Sequence, residues 1–284
     1  MADRRELAFL LFRVQAHFPA QMSMLGGFRA PHEVIRAALM ERPSGAIGRA
    51  SWRIGNVTEL SLDGIYFAVG KELPKSLGSI DNRGDFHTES VLVAPNTHVV
   101  LDLHYQILAI AKNSDLAPAP RSVARKLQKL LSATNVVADH GCTLTIEPIR
   151  DPSGFVEAIA SAKAITRFQV TYGLPNVWDV EEDFQRPIQA SNNAMRAEES
   201  TTTFVGASLN PKNVVRLARA AVAVGKRTKA WVIKPRGRKP VPITPKENPV
   251  TLLQSPPDDS QPMRWGENMV IRMREEYEQI RESD

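Results

Sequence analysis

Basic residues that could bind phosphate groups cluster in one stretch of the chain. Between Ser200 and Lys246 there are eleven Lys or Arg residues and no Asp or Glu. Removing these eleven from the 36 basic residues leaves 25 against 31 acidic residues, so the rest of the chain carries a net charge of −6. Clustered cations displace the condensed counterions of a nucleic acid, whereas scattered cations do not. The stretch therefore predicts a polyanion-binding surface, with a solvated basic face as the alternative.

The predicted nucleic-acid contacts fall on a helix, a strand and a loop of this stretch. The spacing of Lys212, Arg216 and Arg219 places them on one face of the predicted helix. The candidate contacts are Lys212, Arg216, Arg219, Lys226, Arg227, Lys229, Lys234, Arg236, Arg238 and Lys239. Trp231 lies between Lys229 and Lys234 in the strand, where it could stack on an unpaired base. Packing of Trp231 into the core or along the sheet edge is the favoured interpretation.

The loop Lys234–Pro240, with the sequence KPRGRKP, resembles an AT-hook. The Arg-Gly-Arg core of a hook lies along a narrow minor groove, where glycine permits close approach and flanking prolines keep the backbone extended. The proline expected directly after Arg238 is displaced by one place to Pro240. A basic tether that touches only phosphates is the alternative.

His98, Asp102 and His104 are the main candidates for catalytic chemistry. Alternate residues of a strand face the same side, so a strand over residues 97–110 would present all three together. Paired imidazole and carboxylate groups can bind a metal or transfer protons. The sequence contains no Gly-rich phosphate loop and no HExxH, GxSxG or paired CxxC motif. We therefore predict no catalytic residue, metal or cofactor, with a nuclease or nucleotide-processing toxin as the alternative.

Apolar periodicity and turn residues predict an α+β fold with mixed or antiparallel sheets, two subdomains and a C-terminal helix. The predicted strands cover residues 7–14, 49–57, 64–70, 90–93, 97–110, 142–148, 164–172, 202–207 and 227–234. The predicted helices cover residues 31–42, 121–133, 152–161, 178–198, 211–224 and 265–283. Pro95 and Asn96 are predicted to join the strands 90–93 and 97–110 as a hairpin, and Asn210 is predicted to cap the helix 211–224.

Four regions are predicted along the chain. They are an N-terminal α+β subdomain (1–138), a sheet subdomain with a basic surface (139–234), a Pro-rich basic linker (235–262) and a C-terminal helix (263–284). The linker contains eight prolines, which disfavour a helix or a central strand. The apolar run near the N terminus is too short to cross a membrane, so no membrane insertion is expected. A single cysteine, Cys142, fits a reducing cytoplasm.

Two segments of the chain resemble the RexA family of phage-exclusion proteins. In Gly141–Pro175 the strand GCTLTIEPIR is followed by a glycine-containing loop, a short helix, the strand AITRFQVTY and the tripeptide GLP. The segment Trp52–Lys71, WRIGNVTELSLDGIYFAVGK, reads as a hairpin that precedes them. The resemblance implies a cytoplasmic dimer that binds double-stranded DNA without strong sequence preference in defence against phage. RNA binding, or an adaptor role beside an operon-encoded partner protein, is the alternative.

Overall fold

A computed structural model of the chain describes residues 6–18, 30–80, 82–172, 195, 197, 199–223, 225–257 and 262–282. The strands are β1 (Leu7–His17), β2 (Ser44–Ile47), β3 (Ala50–Leu60), β4 (Gly64–Ile80), β5 (Phe86–Val93), β6 (Asn96–Asp102), β7 (Ile107–Ala111), β8 (Thr143–Pro148), β9 (Ala164–Tyr172), β10 (Ser200–Val205), β11 (Arg227–Ile233), β12 (Val241–Ile243) and β13 (Thr251–Gln254). The helices are α1 (Pro31–Met40), α2 (Pro120–Ser132), α3 (Asn135–Asp139), α4 (Ser153–Ala160), α5 (Pro211–Ala223) and α6 (Pro262–Glu282). These elements confirm the predicted α+β class. Apart from residues 195 and 197, the predicted helix 178–198 lies outside the described residues.

The strands form a large and a small antiparallel sheet. The large sheet has the order β13-β1-β7-β6-β4-β3-β2, with β8 also paired with β1 and β5 paired with the second half of β4. The small sheet has the order β10-β9-β11-β12. Strand pairing differs from the predicted division of the chain: β8, predicted in the sheet subdomain, and β13, predicted in the linker, both pair with β1.

Both faces of the large sheet are covered at its centre, along β1, β6, β7 and the first half of β4. Phe12 and Leu101 lie in a core cluster with residues of α1, α2 and α3. Leu11 and Val100, one residue away on the same strands, lie in a second cluster with residues of α6. The result is a continuous buried run in the first half of β4 and throughout β7, as expected for strands without a solvent-facing side.

Polar contacts fix α6 to the large sheet. Arg274 on α6 donates a hydrogen bond of 2.7 Å to the buried carboxylate of Asp102, and this bond raises the pKa of Arg274. The Tyr105 hydroxyl donates to Glu278 on α6 at 2.6 Å, which raises the pKa of Tyr105 to about 12. These contacts define the position of α6 over the face that it covers.

The predicted hairpin of strands 90–93 and 97–110 is wrong. Both β5 and β6 pair with β4, because β4 is long enough to pair with each in turn. The predicted strand 97–110 is also interrupted, since β6 ends at Asp102 and β7 begins at Ile107. The Asp102 carboxylate accepts hydrogen bonds from the backbone N–H groups of His104 and Tyr105, which is the local bonding by which aspartate favours a turn.

Candidate nucleic-acid interface

Among the residues that the structure describes, helices cover one face of the small sheet and leave the other face open. Helices α4 and α5 cover one side, where Phe168, Ala230 and Val232 pack in a core cluster with α5 residues such as Leu217. Alternation along the strands turns the neighbouring residues to the other side. This open face consists of Arg167, Gln169 and Thr171 on β9, Thr201, Thr203 and Val205 on β10, Arg227, Lys229 and Trp231 on β11, and Pro242 on β12. Each of them is exposed or half-buried, and none is acidic.

A glycine directs the chain from the covering helix into the basic strand β11. Gly225 adopts a φ of 76°, a left-handed conformation that glycine reaches without strain. The N–H group of Lys226 then bonds the Ala221 carbonyl at 2.8 Å, which is the usual way for such a turn to end a helix. At the other end of α5, the Asn210 side chain accepts the N–H of Lys212 at 3.0 Å, so the predicted N-cap is confirmed.

Trp231 lies at the centre of a cationic row on the open face. Its neighbours across the sheet are Arg167 on β9 and Pro242 on β12. The guanidinium carbon of Arg167 lies 5.0 Å from the centroid of the indole ring, and the Nζ atom of Lys229 lies 4.9 Å from it. The favoured interpretation, packing of Trp231 into the core or along the sheet edge, is therefore wrong. Its side chain is half-buried on the side away from α4 and α5, and β11 is an inner strand of the small sheet.

Carboxylates approach the open face at its Arg227 end. Glu199 lies directly before β10 and its Oε2 atom is 2.6 Å from Nη2 of Arg227. Both side chains are more than half exposed, at 51% and 70%, and an exposed ion pair of this kind is weak. A cavity of about 370 Å³ opens beside the pair and is lined by Arg150, Gln169, Thr171, Arg227, Thr228, Lys229, Thr244, Pro245 and Glu247. A phosphate group could replace Glu199 as the partner of Arg227 there.

The predicted helix contacts lie on a different surface from the strand contacts. Lys212 and Arg216 are exposed on α5, and Arg219 is half-buried on the same helix. Because α5 covers the opposite side of the small sheet, these side chains do not share a surface with Arg227 and Lys229. The predicted continuous patch is thus divided between two surfaces. One is the outer side of α5 with Lys212, Arg216 and Arg219, called the helix layer, and the other is the open face. Lys226 is half-buried at the junction between α5 and β11.

The AT-hook-like loop is a turn rather than an extended segment. It joins β11 to β12, and the N–H group of Gly237 donates to the Lys234 carbonyl at 2.8 Å. The prediction of an extended backbone is wrong, because Pro235 and Arg236 occupy the central positions of this turn, where proline is favoured. The side chains of Lys234, Arg236, Arg238 and Lys239 are all exposed, so the loop presents charge beside the small sheet.

The three candidate catalytic residues do not form one site. His98 lies on β6 and bonds the Tyr66 hydroxyl at 2.9 Å through Nδ1. His104 lies in the turn after β6, and its side chain is exposed. The carboxylate of Asp102 is engaged by Arg274 and by backbone N–H groups of the turn. Asp102 therefore has a structural role. His98 and Asp102 share the face of β6 that α6 covers, but His104 lies beyond the end of this strand and does not complete the predicted set.

The contribution of strand β9 to the open face was missed from the sequence. Arg167 and Gln169 lie on β9, which precedes the acid-free stretch in sequence. Strand pairing places Arg167 opposite Trp231 and Gln169 opposite Lys229. The alternation of AITRFQVTY already indicated a polar side that carries Arg167, Gln169 and Thr171. Only the pairing of β9 with β11, however, shows that these side chains lie beside Lys229 and Trp231.

The rest of the described structure offers no competing site of comparable chemistry. A cavity of about 460 Å³ near β2 and α2 contains Lys129 and Glu41, but Glu41 already accepts the N–H groups of Asn135 and Val136. Within the described ranges, no group of three or more His, Cys, Asp or Glu residues is arranged to hold a metal ion. None of the helices described there combines the length and the apolar character needed to cross a membrane.

No protein-family model matches the chain, and a search of curated proteins finds no significant match. The resemblance to the RexA family therefore stays a prediction.

Proposed function

We propose that the protein binds nucleic acid without strong sequence preference, through phosphate contacts made by the open face of the small sheet. The observation that carries this proposal is the composition of that face. Arg167, Arg227 and Lys229 lie on adjacent strands around Trp231, and the ten residues of the face include no carboxylate. Such a surface attracts a polyanion and releases its counterions, and contacts of its cations with phosphates position a nucleic acid without reading its sequence.

The exposed loop between β11 and β12 adds further positive charge beside the open face. Lys234, Arg236, Arg238 and Lys239 follow β11 directly, and the chain from Ser200 to Lys246 contains no acidic residue. Double-stranded DNA is the ligand expected from the sequence, and RNA is the alternative. A dimeric state and a role in defence against phage are part of the same proposal and depend on the resemblance to the RexA family.

The test removes three charges from the open face. Arg167, Arg227 and Lys229 are changed together to Ala, and binding to duplex DNA is measured by fluorescence anisotropy at several salt concentrations between about 50 and 200 mM. If all three side chains contact phosphates, the slope of log affinity against log salt should become shallower by about 2.7, which is about 0.9 per contact.

The matched control removes three charges elsewhere. Arg49, Arg125 and Lys129 are exposed on the side of the molecule formed by the β2–β3 turn and α2, so changing them to Ala alters the net charge equally. This control should leave the salt slope unchanged. Equal slopes for both triple variants and the wild type, with all three proteins folded by circular dichroism, would remove the open face from the proposal.

A further inference from the structure

Phosphate binding does not account for the tryptophan on the open face. Trp231 is half-buried and lies on the side of β11 opposite Ala230 and Val232, which pack in the core. A tryptophan brings a large apolar area, and a solvent-facing strand position leaves part of it uncovered. The ring is therefore a contact surface that neither the core nor the salt-dependent binding of phosphates uses.

The surroundings of the ring combine two kinds of recognition. The Arg167 guanidinium and the Lys229 ammonium lie 5.0 and 4.9 Å from the ring centroid, within the range of cation–π attraction. Such contacts place the cations over the indole ring in the free protein, so a base that stacks on the ring takes the place of one of them. A nucleotide presents a flat base and a phosphate a few ångströms apart, so it can meet the ring and a cation at the same time.

The strand geometry favours an open platform. The pairing of β11 with β9 shifts register between Trp231 and Val232, and an irregularity of this kind increases local twist and re-aims a side chain. Thr203 and Val205 on β10 continue the same face beyond β9 and are exposed. Four-stranded sheets that bind single strands use aromatic side chains on an open face in this manner.

We infer that Trp231 stacks on an unpaired base, with Arg167 and Lys229 holding the flanking phosphates, so that the open face prefers single-stranded nucleic acid. This inference rests on the proposed function, because it assigns the ligand class of the same face. In a duplex the bases are stacked on one another and their flat faces are covered. The phosphates of a duplex can therefore pair with the cations of the face, but its bases cannot stack on the indole ring.

The experiment compares single-stranded and duplex ligands for four proteins. The proteins are the wild type and the variants Trp231→Ala, Trp231→Leu and Trp231→Phe. Each is titrated with a fluorescein-labelled oligothymidine of about 15 nucleotides and with a duplex of the same length. We expect Trp231→Ala and Trp231→Leu to weaken binding of the single strand by about 5- to 100-fold, which is the usual effect of losing one stacked base. Trp231→Phe should keep most of the affinity, and duplex binding should change less than about twofold in every variant.

Two comparisons keep the inference separable from the proposed function. Phe86 is 85% exposed on β5, so Phe86→Ala removes an exposed aromatic ring elsewhere and should change neither affinity. If Trp231→Leu binds the single strand as the wild type does, while the triple charge variant loses affinity, the stacking inference fails and the proposed function stands. If the charge variant also binds both ligands normally, the proposed function fails as well. Leu keeps apolar volume at this position, so it serves as the test even where Ala perturbs folding.

Discussion

The large sheet and the small sheet differ in how many of their faces are covered. In the large sheet, Phe12 and Leu11 on adjacent positions of β1 are both buried, one under α1–α3 and the other under α6. In the small sheet, Ala230 is buried under α4 and α5, whereas the adjacent Lys229 and Trp231 are only half-buried. An antiparallel sheet can leave one face in solvent, and within the described part of the chain the small sheet does so with basic and aromatic side chains.

The comparison separates residues that hold the fold from residues available to a ligand. In the large sheet, the buried carboxylate of Asp102 has Arg274 as its partner within the protein. On the open face, the cations of Arg167 and Lys229 have an aromatic ring as neighbour, and Arg227 has an exposed carboxylate. Partners of this second kind are weak and can be exchanged for a phosphate. Substitutions in the large sheet should therefore change stability, whereas substitutions on the open face should change binding.

Changing Asp102 to Ala should destabilise the protein by about 3 kcal/mol. The carboxylate is fully buried, and its removal leaves Arg274 and the N–H groups of the turn without their acceptor. The loss of one partner of a buried ion pair costs about 3–5 kcal/mol, and the partial exposure of Arg274, at 27%, favours the lower value. Urea denaturation followed by circular dichroism measures the change.

His104→Ala is the matched control for Asp102. Its side chain is exposed in the same turn, so the substitution should change the free energy of unfolding by less than about 0.5 kcal/mol. A variant Asp102→Ala with wild-type stability would contradict the structural role of this carboxylate and reopen the question of its chemistry.

Charges on the helix layer and on the open face should differ in their effect on binding. Arg227→Ala with Lys229→Ala should weaken duplex binding by about tenfold and lower the salt slope by about 1.8, the value for two contacts. Lys212→Ala with Arg216→Ala removes the same charge from α5 and should produce only a small, non-specific loss. Anisotropy titrations at matched salt measure both. A larger effect of the α5 variant would move the binding surface to the helix layer.

Changing Glu199 to Gln should strengthen binding by about two- to threefold. The substitution keeps the shape of the side chain but removes the charge that lies 2.6 Å from Arg227, so a phosphate no longer competes with a carboxylate. An exposed ion pair is worth up to about 1 kcal/mol, which sets this small size. In the background of Arg227→Ala the same substitution should have no effect. An equal gain in that background would show that Glu199 acts through its effect on the net charge and not through its contact with Arg227.

The stabilisation from the Tyr105–Glu278 contact should disappear at high pH. The hydrogen bond to Glu278 raises the pKa of Tyr105 from 10.0 to about 12, so the folded protein holds the phenolic proton more tightly than the unfolded chain. The contribution of this hydrogen bond to stability is complete below the pKa of Tyr105 in the unfolded chain. It is lost as the pH rises through the pKa of Tyr105 in the folded protein. The stability difference between the wild type and Tyr105→Phe should therefore shrink from about pH 10 to about pH 12 in urea denaturation. A constant difference over this range would contradict the assigned contact.

Local patterns in the sequence predicted the strands and helices, whereas pairing between distant strands determined the site. The alternation in AITRFQVTY and RTKAWVI follows from a half-covered sheet, and the predicted strand ends lie within a residue of β9 and β11. The meeting of Arg167 with Trp231 depends on register between strands far apart in the chain, which local patterns do not contain. The turn at residues 103–106 was missed because the sequence HVVLDLHYQI has continuous strand character. The conformation of Gln106, with a φ of 55°, becomes evident only in the fold.

The position of β1 in the large sheet has a consequence for how the chain reaches its fold. Strand β1 pairs with β7, β8 and β13, so Leu7 meets Gln254 and Phe12 meets Pro148. During synthesis from the N terminus, β1 is made before these three partners. Its apolar side chains, on both faces, therefore remain uncovered until the partners have been made. Contacts between such distant segments form slowly, and an unpaired apolar strand is prone to aggregate. Refolding after dilution from urea should accordingly be slow and should lose yield as the protein concentration rises.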